Sequence, residues 1–253
     1  MTDLVLVHGL GSSSTYWDNI RPALEKEFDV VAVTLPGHGP GAERLSPAEA
    51  HPRQLATAVI ATLAARDIHD AHLVGISLGG WVVLEMAALG HAASVVALAP
   101  AGFWTTRGRR EYEELLARPA LRLLDWALPA IARVPLVKHV GLMTNVKHPS
   151  RVTDAQFVAA ARALEQSKGF TACDVQAVRH RFEGAASVRV PTTVAFGDAD
   201  RVLPPSTSQD RSLAPPGAEW VTVPDCGHAM TWDQPEACLD LIRRAGAQPP
   251  EAS

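Results

Sequence analysis

The chain of 253 residues predicts an α/β fold, a mostly parallel open sheet of about six strands carrying a helical cap. Three observations predict it. Short apolar runs alternate with helix-like segments along most of the chain. Those runs are rich in Val, Leu and Ala and lack clean polar alternation, as strands covered on both faces do. One interval, from about Phe103 to Ser187, breaks the rhythm with helical patterns and no convincing strand.

In chain order, Leu4–Val7 reads as the first strand and runs into His8-Gly9-Leu10-Gly11. A helix over Trp17–Glu27 leads to a second strand, Val30–Val33, and a helix over Arg53–Arg66 to a third, His72–Ile76. A helix over Leu78–Leu89 precedes the fourth strand, Val95–Ala99. The helical interval follows, with patterns over Glu111–Arg118, Ala120–Ala132, Asp154–Gln166 and Thr171–Phe182, punctuated by Pro119, Pro129, Pro135 and Pro149. Strands Thr192–Phe196 and Trp220–Val223 resume the sheet, each followed by a helix, Pro204–Leu213 and Pro235–Ala245. The expected organisation is a core of residues 1–102 and 188–253 with a cap of residues 103–187 inserted over the strand ends, and a frayed tail after Gly246.

Composition narrows the functions. Hydrophobic residues make up 47% and charged residues 20%, which suits a globular chain with a sizeable core. A net charge of −4 gives no general attraction to nucleic acid or to an anionic membrane. The basic cluster Arg107–Arg110 reads as a solvated helix start. Three widely spaced cysteines fit free thiols in a reducing compartment. The first apolar run is too short for a signal peptide, and the longest, Ala92–Trp104, falls short of the roughly 20 residues of a membrane helix. The expectation is a cytoplasmic protein. His69 and His72 straddle a strand start without an acidic ligand pattern, so no metal is expected.

The chemistry centres on the stretch GISLGG at Gly75–Gly80. Ser77 follows the end of a strand and opens a helix, and a sharp turn there lifts its hydroxyl clear of the sheet. Gly75 and Gly79 leave room for close backbone approach, the G-x-S-x-G pattern of a nucleophile elbow. The plainer reading is a serine N-cap. A hydroxyl needs a base, an orienter for the base and donors for the oxyanion. His228, in the loop after the last strand, is the candidate base. Asp200 and Asp198 both follow the strand Thr192–Phe196; Asp200 is preferred because Gly197 and Pro204 frame it as G-x-x-D-x-x-x-P, while Asp198 could brace the loop. Asp225, close to His228 in sequence, reads as a cap of its own tight loop. The N–H groups of Leu10 and Leu78 are the candidate oxyanion donors. Gly9-x-Gly11 also opens a dinucleotide-binding pattern, but Ser14 stands at the third glycine and the second strand ends at Leu35-Pro36 without a carboxylate.

Together HGLG at His8–Gly11, LPGHG at Leu35–Gly39, GISLGG, GDADRVLP at Gly197–Pro204 and GH at Gly227–His228 resemble the α/β-hydrolase family, in its order and over nearly the whole chain. The resemblance implies a triad of Ser77, Asp200 and His228, a helical lid and no cofactor. It implies a sheet without the antiparallel strands that usually open it, and a structural loop at His38. It leaves the substrate open. The expected reaction is hydrolysis of a small or medium, largely apolar carboxylic ester, a small-molecule partner. A lactonase, a C–C bond hydrolase, a thioesterase and a perhydrolase share the triad, and a ligand receptor on the same scaffold is the rival of another class. Trp81, Phe103, Trp104, Trp126 and Met143, with Leu121, Leu124 and Leu142, are the expected pocket walls.

Overall fold

The six apolar runs lie side by side in one parallel sheet in the computed structural model, which describes residues 1–105 and 125–247. The strands are β1 (Thr2–Val7), β2 (Phe28–Val33), β3 (His72–Ile76), β4 (Ser94–Leu98), β5 (Thr192–Gly197) and β6 (Glu219–Val223), in the order β2-β1-β3-β4-β5-β6. The register brings Val7 beside Gly75, Ile76 beside Leu98 and Gly197 beside Val223, so the carboxyl ends of the strands share one edge. Strand order reverses between β1 and β3. Ligands of open parallel sheets bind at such a switch point. Every residue of β3, β4 and β5 is buried, while β2 and β6 at the two edges are partly open.

The longer helices are α1 (Pro52–Ala64), α2 (Leu78–Ala88), α3 (Pro135–Leu142), α4 (Asp154–Gln166), α5 (Phe170–Arg179) and α6 (Pro235–Ala247). Residues Leu78–Ala87 of α2 are all buried, because it lies under α1 and against β3 and β4. Helix α4 opens with a capping box. The Thr153 hydroxyl accepts the Gln156 N–H, and the Gln156 side chain accepts the Thr153 N–H.

Local structure departs from expectation in two of the helices. The helix expected over Trp17–Glu27 is a 3-10 turn, Ser14–Trp17, and one α-turn, Arg21–Leu24, because Pro22 cannot sit inside a continuous helix. The helix expected over Pro204–Leu213 is divided into Pro205–Ser208 and Arg211–Leu213, because the backbone leaves helical geometry at Gln209 (φ −133°, ψ 53°) and Asp210 caps a new turn. Helix α3 was not foreseen. Glu111–Arg118, the basic cluster Arg107–Arg110, Leu121 and Leu124 lie outside the described residues. So does the start of Ala120–Ala132, of which the 3-10 turn Asp125–Ala127 and the turn Leu128–Ile131 are described. Among the described residues no helix is long and apolar enough to cross a membrane, and no three His, Cys, Asp or Glu side chains gather as metal ligands.

Candidate active site

Ser77 has φ 56° and ψ −119°, a conformation that costs a side-chain-bearing residue about 1–3 kcal/mol. Its backbone is tied down on both sides. The Ser77 N–H donates to Leu98 O at 2.9 Å, and its carbonyl accepts the N–H groups of Ala101 at 2.9 Å and Trp81 at 3.2 Å. The surrounding glycines allow the turn. A Cβ at position 75 would stand 2.2 Å from Gly79 O, and one at position 79 would stand 2.3 Å from Val7 O. Helix and strands meet backbone to backbone here.

The loop after β1 approaches the same serine. A Cβ at position 9 would lie 3.1 Å from Ser77 Cβ. His8 fixes this loop from below. Its Nε2 accepts the Leu35 N–H at 3.0 Å, so the ring proton sits on Nδ1 and donates to Gly9 O at 2.7 Å. Burial, helped by the neighbouring His38 and opposed by the Gly9 bond, lowers the His8 pKa to about 3. The ring is therefore neutral at physiological pH. Leu10 and Leu78, the expected oxyanion donors, both line the cavity described below, and their N–H groups make no backbone hydrogen bond in the turns and loops among the described residues. His38 lies in a tight turn, its Nδ1 2.9 Å from Pro36 O.

His228 and Asp200 meet across the loops after β6 and β5. His228 Nδ1 donates to Asp200 Oδ2 at 2.8 Å, and both residues are buried. The other carboxylate oxygen accepts the N–H groups of Leu203 at 2.7 Å and Val202 at 2.8 Å. Burial pushes the Asp200 carboxyl up. The charge and hydrogen bond of His228 and the two N–H groups outweigh it and hold the carboxyl below its ordinary value. Asp198 points elsewhere. It accepts the Cys226 N–H at 3.1 Å and so binds the β5 loop to the β6 loop. Asp225 reaches Lys147 and His148 rather than capping its own loop.

A cavity of about 300 Å³ lies over the carboxyl edge. Ser77, His228, Leu10 and Leu78 line its floor, and Leu142 of α3, Phe157, Ala161 and Leu164 of α4, and Phe170 and Ala177 of α5 line its far wall. Among the described residues no hydrogen bond joins the Ser77 hydroxyl to His228; such contacts are often long in unliganded sites and tighten with substrate.

Of the five aromatic or thioether side chains expected in the pocket, Trp104 lines it, with its Nε1 donating to Ala177 O at 2.9 Å. The other four do not. Trp81 is buried under the elbow with Nε1 on Glu85 Oε1 at 3.0 Å. Phe103 packs into the core against Phe182 and Trp220. Trp126 is 84% exposed and Met143 half-exposed. Sequence reasoning missed Tyr16, Asn145, Phe157, Ala160, Ala161 and Trp232, which do line it. In α4 the signal was legible: Phe157, Ala160, Ala161 and Leu164 repeat at helical spacing on one face.

Comparison with known proteins agrees with the fold. The family described as "Alpha/beta hydrolase family" matches residues 4–241. The chain is 29% identical over 237 residues to the dihydrolipoyllysine-residue acetyltransferase component of the acetoin cleaving system of Pseudomonas putida, covering 93% of this chain but 60% of that one. It is 28% identical over 249 residues to a pimeloyl-[acyl-carrier protein] methyl ester esterase of Neisseria meningitidis serogroup C, covering 94% and 91% of the two chains. In fold it is similar to the enol-lactonase of Burkholderia xenovorans LB400, with a TM-score of 0.72 at 20% identity over 98% and 92% of the chains.

Proposed function

The chain belongs to the alpha/beta hydrolase family and is an enzyme, and from that premise we propose a serine hydrolase that cleaves a carboxylic ester of a small or medium, largely apolar substrate through an acyl-enzyme. One observation carries the reading. Ser77 and His228 line a single apolar cavity, and Asp200 stands behind the imidazole at 2.8 Å.

The roles follow from the geometry. Asp200 holds the proton of His228 on Nδ1, which leaves Nε2 to accept the Ser77 proton. Ser77 Oγ attacks the ester carbonyl carbon as its proton passes to Nε2. The carbonyl oxygen, now anionic, accepts hydrogen bonds from the Leu10 and Leu78 N–H groups. Losing one such donor typically costs about 2.7–4 kcal/mol of transition-state stabilisation. The intermediate collapses, the C–O bond to the alcohol breaks, and Nε2 returns the proton to the leaving oxygen. Water then attacks the acyl-Ser77, gives its proton to Nε2, and Ser77 leaves with it. No step calls for a metal or an organic cofactor.

Substrate choice belongs to the inserted helices, read as a cap of residues 103–187 on a core of 1–102 and 188–253. His228 and Tyr16 are the only ionisable side chains of the cavity wall among the described residues, so a neutral, apolar substrate fits it best.

A panel of p-nitrophenyl esters from acetate to octanoate tests the proposal, with Ser77→Ala as control. Turnover should fall more than about a thousandfold in the variant, with its circular dichroism unchanged. Esterase activity surviving in Ser77→Ala would overturn the mechanism. Tight ligand binding without turnover in the wild type would indicate a receptor.

A further inference from the structure

One buried carboxylate fastens the His228 loop to the inserted helices. Asp233, 3% exposed, ends the single helical turn Met230–Asp233. Its Oδ2 accepts the N–H groups of Gly227 and Lys147, both at 2.8 Å, and its Oδ1 accepts the His148 N–H at 3.0 Å. Gly227 immediately precedes His228, while Lys147 and His148 lie on the loop after α3. One side chain thus gathers three backbone donors from two stretches far apart in sequence.

The two stretches touch closely around it. Ala229 N–H donates to Asn145 O at 2.7 Å, on the other side of His228. Nearer the surface, Asp225 takes Lys147 Nζ at 3.0 Å and His148 Nε2 at 2.8 Å. A Cβ at position 227 would stand 2.8 Å from Lys147 N and 2.9 Å from Asp233 Oδ2, so the contact admits only glycine there.

The Asp200 bond directs the His228 ring. It does not set where the His228 backbone stands relative to Ser77. We propose that Asp233 is a positioning residue that sets this distance, anchoring the backbone beside His228 to the loop after α3. The inference rests on the reading of His228 as the general base. A carboxylate suits this role because its two oxygens offer about four acceptor sites and no donor. A carboxamide of the same size offers one oxygen and turns an NH2 group toward N–H donors.

Wild type, Asp233→Asn and Asp233→Glu are compared on a neutral p-nitrophenyl ester, with reactive sites counted by a fluorophosphonate that labels Ser77. In Asp233→Asn, kcat per labelled site should fall about 100-fold, the scale of a 1 Å misplacement, while KM stays within about twofold. Asp233→Glu keeps the anion and should recover about tenfold of that loss. A purely structural role would leave fewer sites labelled, each turning over at the wild-type rate, and that result overturns the proposal. Should Asp233→Asn not fold, Asp233→Glu decides alone. A kcat per site about tenfold below wild type at unchanged KM supports the role, and an unchanged kcat refutes it. Failure of the underlying reading looks different: wild type that resists the fluorophosphonate, or turnover that survives Ser77→Ala, removes both claims at once.

Discussion

With both ring nitrogens engaged in a buried site, His8 can hold only one tautomer, and that tautomer joins Leu35 to Gly9 beneath the serine. Its chemistry makes stability depend on pH. The unfolded chain takes up a proton at His8 below pH 6.5, whereas the folded protein refuses it until about pH 3. The stabilisation is complete above pH 6.5 and is lost as pH falls from there toward 3. Asp200, whose carboxyl is held below 3.8, acts in the same direction at still lower pH. Urea midpoints should therefore drop between pH 7 and pH 4, and the drop should be shallower in His8→Gln, which carries acceptor and donor but does not titrate. Parallel curves for the two proteins would show that His8 is protonated in the fold. At this scale the sequence was informative where a residue follows a strand. Ser77, Asp200 and His228 each stand just past an apolar run, so their meeting at one edge could be read in advance. The work of His8 could not be, because its partner Leu35 belongs to another strand's loop.

Among the elements, α4 governs the size of the cavity. Its face of Phe157, Ala160, Ala161 and Leu164 alternates bulk with small side chains, and the alanines leave the depth. Ala161→Phe should fill that depth and lower the octanoate-to-acetate ratio of kcat/KM at least about tenfold, with acetate turnover kept within about threefold. An unchanged ratio would place the acyl chain elsewhere. The strands were the most legible elements, since buried parallel strands read as unbroken Val, Leu and Ala runs. Two helices were misjudged: Pro22 interrupts the first, and in the second the backbone leaves helical geometry at Gln209 after one turn. The pocket wall was the least legible. An aromatic side chain near a reactive serine suits a core as well as a pocket, and only tertiary packing sends Trp81 and Phe103 to the first and Trp104 to the second.

Across the whole molecule, the sheet and the helices around it enclose all three cysteines. None is paired, and all are buried. Burial raises the thiols of Cys173 and Cys238 to about 12, and it raises Cys226 as well, helped by Cys238 and nearby carboxylates. A disulfide-exchange reagent at pH 8 should leave the native protein nearly unmodified and titrate all three thiols in concentrated urea. Rapid labelling of the native state would reveal an opening of the core.

The cavity has walls of two kinds. Around Ser77 and His228 the wall rests on main chain pressed against main chain, where Gly75, Gly79, Gly197 and Gly227, themselves outside the lining, leave no space for even a methyl group. Along α4 it is made of side-chain tips on a capped, regular helix. Mutational libraries should feel that division. Randomising positions 160 and 161 would redraw which molecules enter while the reacting groups stay put, whereas the glycine positions would yield almost only dead clones. An engineer, or natural selection, can thus change the menu without rebuilding the kitchen.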